Sequence, residues 1–261
     1  MSNFDFQDLE KRRPLWQDIA YFAGFVMMVY GFVHVGLNHN AYAQIAQFKF
    51  DTLKASVLEV SENLTQAPST EAVIVEEKLE RVATKAPVRT FRKKELKPRN
   101  QAARVFKDMN IYPSDNRLHI PRINKNVPLI TVPQHQNWSQ LEKNIQSGLQ
   151  EGVVVHPVSH APGNFGNFFV TGHSSYYNWD PGRFKDVFAL LHEVKVGDLV
   201  EVYWEGKKYV YKIRAEEVVP PTAVEVLNQP KDKFLLTLMT CTPVGTNKNR
   251  LILTGELKDV Q

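Results

Sequence analysis

A chain of 261 residues holds a single cysteine, Cys241, inside "LLTLMTCTPVGTNKNRLIL". A thiolate is a potent nucleophile, so the surroundings of that sulfur decide whether it does chemistry. The apolar run before it reads as a strand and "TPVGTNKN" as a loop. Cys241 therefore stands at a strand end, where a rigid scaffold holds a residue and substrate still reaches it. By neighbourhood alone, a small apolar residue packed at a strand end is an equal account. A lone cysteine makes no intrachain disulfide, which leaves it buried, paired between chains or chemically employed.

A nucleophilic cysteine needs a group that takes a proton and returns it to a leaving amine, and histidine commonly serves. Of the eight histidines, His34 and His39 lie in or beside a long apolar segment, and His34 reads as a polar residue near its outer end. His119 sits in a strand, His135 in a polar turn and His192 within "VFALLHEV". His156 and His160 have i, i+4 spacing, but Pro157 and Pro162 oppose a helix and no cysteine or acid stands near, so no metal site is assigned to them. His173 differs. It follows "NFFVTG", a buried-looking strand closed by a glycine that allows a sharp turn, which puts it at a strand end as well. Arg250 opens the run after the cysteine loop, and its permanent charge suits a tetrahedral oxyanion. If "TLMTC" and "RLIL" pair antiparallel across the loop 242–249, Cys241 and Arg250 stand side by side. The plain alternative is a solvated strand-end arginine.

The elements that would position these residues are short β-rich runs separated by Pro, Gly and Asn. Strands are expected over 117–120, 127–132, 152–157, 167–172, 198–204, 207–213, 233–240 and 250–256. A hairpin turn is expected at Glu205 and Gly206, with Val202 and Trp204 against Val210 and Tyr211. Short helices fit over 138–146, 187–193 and 223–227. With sequential strands and no βαβ rhythm, the reading is all-β: a closed, mostly antiparallel barrel of eight strands with a few short helices.

Ahead of the barrel, "IAYFAGFVMMVYGFVHVGL" over 19–37 contains no Asp, Glu, Lys or Arg and is long enough to cross a bilayer as a helix. Lys11, Arg12 and Arg13 precede it and no Lys or Arg follows until Lys49, so the N-terminus is expected in the cytoplasm and the rest outside. An "AYA" at 41–43 is also compatible with signal-peptide cleavage. Ile45, Phe48, Leu53, Val57, Val60 and Leu64 repeat at helical spacing. The Pro-punctuated, charged stretch beyond them includes "RTFRKKELKPR" at 89–99 and reads as a solvated stalk, with a basic patch for anionic envelope polymer or lipid as the functional alternative. The expected division is a cytoplasmic tail 1–18, a transmembrane helix 19–37, an extracytoplasmic helical or disordered stalk 38–110 and a catalytic domain 111–261. The net charge of +4 is local to such runs, and no nucleic-acid module accompanies it.

"TLMTCTPVGTNKNRLIL" resembles the sortase signature, Thr-Leu-x-Thr-Cys followed by an arginine at the start of the next strand. "RLHIPRINKNVPLI" is similar to the opening strands of a sortase domain, and "GVVVHPVSHAPGNFGNFFVTGHSSY" to the stretch ending in the catalytic histidine. "FKDVFALLHEVKVGDLVEVYWEGKKYVYKI" is similar to the helix and hairpin that follow. The resemblance covers about 116–257. It implies a membrane-anchored cysteine transpeptidase in which Cys241 is the nucleophile, His173 the general acid and later base, and Arg250 the oxyanion stabiliser and substrate guide. It further implies cleavage of a sorting signal of the Leu-Pro-x-Thr-Gly type, a thioester intermediate, and transfer to an amine of a cell-wall precursor or a pilin lysine, with no cofactor or metal. Thr240 is expected to shape the pocket, and Tyr176 and Trp179, in the aromatic insertion 174–184, to line a substrate groove. The cysteine loop is most similar to that of the pilus-assembling class, although no Asp-Pro-aromatic lid precedes the barrel and Asp180-Pro181 comes after His173. Outside the resemblance, two alternatives stand: a non-catalytic, membrane-tethered barrel that binds envelope components, and a cysteine hydrolase that releases its thioester to water.

Overall fold

The computed structural model describes residues 15–65, 113–177, 179–180 and 182–261. The expected tail before residue 15 and the expected stalk from 66 onward, with its basic run, lie outside the described residues. The chain forms two compact units, 1–45 with 112–261, and 46–111.

Helix α1 (Leu15–Leu37) starts inside the segment read as a tail. Leu15 and Trp16 extend its apolar surface, and Asp18 falls in the first turn, where the helix dipole favours an acid. None of its residues is buried, and its mean hydropathy of 1.7 fits a bilayer span by length and composition. A second helix, α2 (His39–Thr65), follows rather than a continuation. The break is at Asn38, whose backbone N–H donates to Val35 O (3.2 Å) and whose side-chain amide donates to His34 O (2.8 Å). Those bonds satisfy carbonyls that α1 leaves open at its end.

The barrel strands are β1 (Arg117–Ile120), β2 (Lys125–Thr131), β3 (Val153–Val155), β4 (Gly166–Thr171), β5 (Leu199–Trp204), β6 (Lys207–Val219), β7 (Phe234–Thr242) and β8 (Asn249–Val260). They close in the order β1-β2-β3-β4-β7-β8-β6-β5, with β5 returning to β1, so no strand edge stays open. The expected antiparallel pairing holds except at two joints: β2 pairs with β3 and β4 with β7 in parallel. Parallel neighbours require a crossover. Helix α3 (Trp138–Glu151) supplies the first, and the whole β5–β6 hairpin is inserted in the second.

Period-two alternation sorts the residues. Phe168 and Val170 of β4, Leu236 and Leu238 of β7, and Leu251 and Leu253 of β8 are buried and share one face by register. The opposite face of β2 and β3 offers Ile130 and Val154 to Leu141, Ile145 and Leu149 of α3. That packing carries α3 past the expected end at Gln146 to Glu151. A helix over 187–193 does not form; only Leu191–Glu193 makes a 3₁₀ turn. Val187 to Leu191 are all buried, so that stretch has no polar side to give an amphipathic helix. The β5–β6 turn is at Glu205 and Gly206, both in the left-handed region. A two-residue turn sets Trp204 opposite Lys207, which pairs Val202 with Tyr209 rather than with Val210 or Tyr211. Strand β6 runs beyond the expected end at Ile213 to Val219 because "RAEEVV", polar as it is, completes the ladder with β8 after a register shift.

Leu238 is fully buried between Val170 and Leu253 by register. Leu238→Ala is expected to lower the unfolding free energy by about 2–5 kcal/mol. Val196→Ala, at a site 61% exposed, is expected to stay within about 0.5 kcal/mol of the parent; urea melts of the two variants make the comparison.

Candidate functional site

The three sequence-separated residues line one groove, two of them set side by side by strand register. Cys241 pairs directly with Arg250 across β7 and β8, and Arg250 pairs with Val219 across β8 and β6. On the other side, the parallel β4–β7 ladder ends at Thr171 opposite Met239. Gly172 then donates its backbone N–H to Met239 O (3.1 Å) and accepts from the buried Thr240 hydroxyl (2.8 Å). The ladder stops there, and His173, two residues on, lines the same groove as Cys241 and Arg250. Cys241, Arg250 and Val219 form one row across three neighbouring strands, β7, β8 and β6.

Gly172 does not take a left-handed turn. Its role is space: a Cβ there would lie 2.6 Å from the ring of Phe188 and 3.0 Å from Val153. Phe188 in turn donates its backbone N–H to His173 O (2.9 Å). Arg250 directs Nη1 to the carbonyls of Asn247 and Asn249, both at 3.1 Å, and has no carboxylate partner among the described residues. Its charge is therefore held against its own loop and left for an anionic visitor.

A groove of about 330 Å³ is lined by His173, Thr240, Cys241, Arg250, Met239 and Phe169. It is also lined by Trp138, Glu142, Ile145 and Leu149 from α3, and by Ala223, Val224, Val226 and Leu227 around a 3₁₀ turn (Val224–Leu227). Thr240 is in the lining, and its hydroxyl is used on Gly172. Tyr176 and Trp179 are absent from the lining. Tyr176 stacks on His173 with ring centroids 4.4 Å apart and 22° between planes. Trp179 stacks on Tyr177 at 4.6 Å and is 69% exposed.

The walls escaped the sequence reading. The spacing of Trp138, Glu142, Ile145 and Leu149 does mark one helix face, but which sheet face it covers depends on the crossover. His156 was another omission. It lines the groove, edge-on to Phe169 with centroids 5.8 Å apart, while His160 turns to Phe165 O, so the two are engaged separately. Among the described residues, no group of three or more His, Cys, Asp or Glu is placed to hold a metal.

A family model described as "Sortase domain" matches residues 118–258. The chain belongs to the sortase family. Among its relatives are "Sortase A" of Bacillus anthracis, 26% identical over 144 residues, and "Sortase SrtE1" of Streptomyces coelicolor, 28% identical over 151 residues. Each match takes in 54% of this chain, and 58% and 39% of those relatives' own lengths. Among solved structures, a lid mutant of sortase A from Corynebacterium diphtheriae is 26% identical, with a TM-score of 0.45 over 56% of this chain and 71% of that one.

Within this sortase barrel, burial governs the two titrating groups. Burial pushes the Cys241 thiol up from its ordinary range, and the Arg250 charge partly opposes the shift. Burial pushes the His173 imidazole down, partly opposed by the Asp180 carboxylate. Both shifts favour the uncharged forms, so a thiol beside a neutral imidazole is the resting state at neutral pH. Alkylation of Cys241 by iodoacetamide is expected to keep rising above about pH 8.5, where a free thiol is already half ionised. Arg250→Gln removes the charge that lowers the thiol pKa and should move that profile to higher pH; rate measured against pH, with peptide mapping, reads both.

Proposed function

We propose that this sortase is a membrane-anchored cysteine transpeptidase acting on a sorting signal of the Leu-Pro-x-Thr-Gly type. The observation that carries the reading is the convergence of His173, Cys241 and Arg250 on one groove, with Cys241 and Arg250 directly paired. In the proposed sequence, the Cys241 proton passes to His173 and Sγ attacks the carbonyl carbon of the scissile Thr–Gly bond. The oxyanion takes hydrogen bonds from Arg250, whose guanidinium keeps its charge throughout. The intermediate collapses as the leaving amine takes the proton from His173, leaving a thioester on Cys241. An acceptor amine, of a cell-wall precursor or a pilin lysine, then gives a proton to His173 and displaces the thiolate. No cofactor enters these steps.

Burial makes the thiolate–imidazolium form a minor one, which limits idle reaction of the thiol and lets substrate contacts in the groove favour it. The apolar walls suit an extended peptide that carries apolar side chains. In this reading α1 spans the membrane with the N-terminus inside, residues 38–110 form an extracytoplasmic stalk, and 111–261 is the catalytic domain.

Incubation with a sorting-signal peptide and a glycine amine is expected to give an acyl adduct at Cys241 by mass spectrometry and an amine-linked product. Cys241→Ala should abolish both. Arg250→Ala should lower kcat by about 10²–10³ and His173→Ala by about 10²–10⁴. Cleavage that proceeds equally well without the amine would replace transfer with hydrolysis. Absence of any Cys241 adduct would leave a non-catalytic barrel.

A further inference from the structure

The corner where α1 meets α2 is packed against the two loops that carry the site residues. Ala41 is 1% exposed, the one buried residue among the described residues of these helices. It sits with Leu37 and Asn38 against Ser175, Tyr176, Lys185 and Asp186. The Tyr42 hydroxyl donates to Val244 O (3.4 Å) in the β7–β8 loop and bonds to His34 Nε2 (3.1 Å). Gly245, at φ +85°, has no space for a side chain: a Cβ would lie 2.9 Å from His34 and 3.0 Å from Asn38. Its backbone N–H donates to Ser175 Oγ (2.8 Å). At the start of β2, Lys125 Nζ donates to Gln44 Oε1 (2.7 Å).

These contacts reach both halves of the site. Val244 and Gly245 belong to the same loop as Asn247, which leads into Asn249 at the start of β8, and the carbonyls of Asn247 and Asn249 hold Arg250. Ser175 and Tyr176 follow His173 in the chain, and Tyr176 stacks on its ring. The barrel closes without any residue of this corner, so its packing adds alignment of loops rather than strands. A misplacement of about 1 Å in a reacting group can cost up to about 10²-fold in rate.

We propose that residues 34–44 are a positioning element of the site: the membrane-proximal corner, seated through Ala41 and Tyr42, clamps the β7–β8 loop to the loop after β4 and so keeps Arg250 and His173 aligned with Cys241. This rests on the transpeptidase reading above. The anchor is then part of the working enzyme and more than a tether.

The test uses the full chain in nanodiscs. Ala41→Trp overfills the seat, and Ala41→Ser fits it. With sorting-signal peptide and glycine amine, Ala41→Trp is expected to lower kcat about 10- to 100-fold while KM changes by less than about threefold. Its iodoacetamide profile at Cys241 should shift to higher pH, because the Arg250 charge is no longer held beside the sulfur. The thermal midpoint of the barrel should stay at the parent value, and Ala41→Ser should match the parent throughout. Tyr42→Phe, which keeps the ring and removes both hydroxyl bonds, should move in the same direction by a smaller factor and stands in if Ala41→Trp does not fold. Parent-like kcat and alkylation in Ala41→Trp, or a loss that follows a lowered thermal midpoint, overturns the proposal. If the parent makes no peptide adduct, the transpeptidase reading falls, and the alkylation profiles still decide whether the corner sets the environment of Cys241.

Discussion

Strand β7 is held on one side by a parallel ladder to β4 and on the other by an antiparallel ladder to β8, and everything at the site depends on those two registers. They are strongly specified. A slip of one residue would turn Leu236 and Leu238 out of the core and Met239 and Cys241 into it. The burial that stabilises the barrel is thus the same force that puts Cys241 on the groove face, level with Arg250. The Thr240 hydroxyl adds a local lock, since a buried Gly172 carbonyl beyond the end of β4 would otherwise lack a partner.

Burial also sets the chemistry. The groove withdraws Cys241 and His173 from water, and both respond by favouring their neutral forms. Arg250 and Asp180 pull the other way, each on a different member of the pair. A single extra charge brought into the groove therefore changes the balance at two groups at once. The arginine is suited to this because its backbone bonds orient it without cancelling its charge.

Around this row, the covering elements divide the work. Helix α3 lies over the outer face of β2 and β3 and lends one edge of its apolar side to the groove. Ala223, Val224, Val226 and Leu227, between β6 and β7, line the same groove. Tyr176 backs the His173 ring from outside the groove, which accounts for an aromatic insertion that contributes nothing to the lining. The corner after α1 packs against the β7–β8 loop through Tyr42 and against Gly245 through His34 and Asn38.

Much of this was legible in the residues. The eight strands follow from β-branched and aromatic runs between turn residues, the hairpin from Glu205-Gly206, and the apolar helix from the lack of charge over 19–37. The direct pairing of Cys241 with Arg250 follows from two apolar runs joined by a short loop, a local relation that sequence carries well. The arrival of His173 in the same groove depends on a parallel joint between strands separated by the whole β5–β6 hairpin, and a long-range pairing of that kind leaves no local mark. The ladder partner of "RAEEVV", the sheet face that α3 covers and the turn of Tyr176 toward His173 were likewise decided only when the barrel closed. The sequence by itself determined which residues bear reactive side chains and which runs are strands, because propensity and periodicity act over a few neighbours. Tertiary structure alone decided which of them share a face and a row, because that is settled by register between distant segments and by the competition to bury apolar surface.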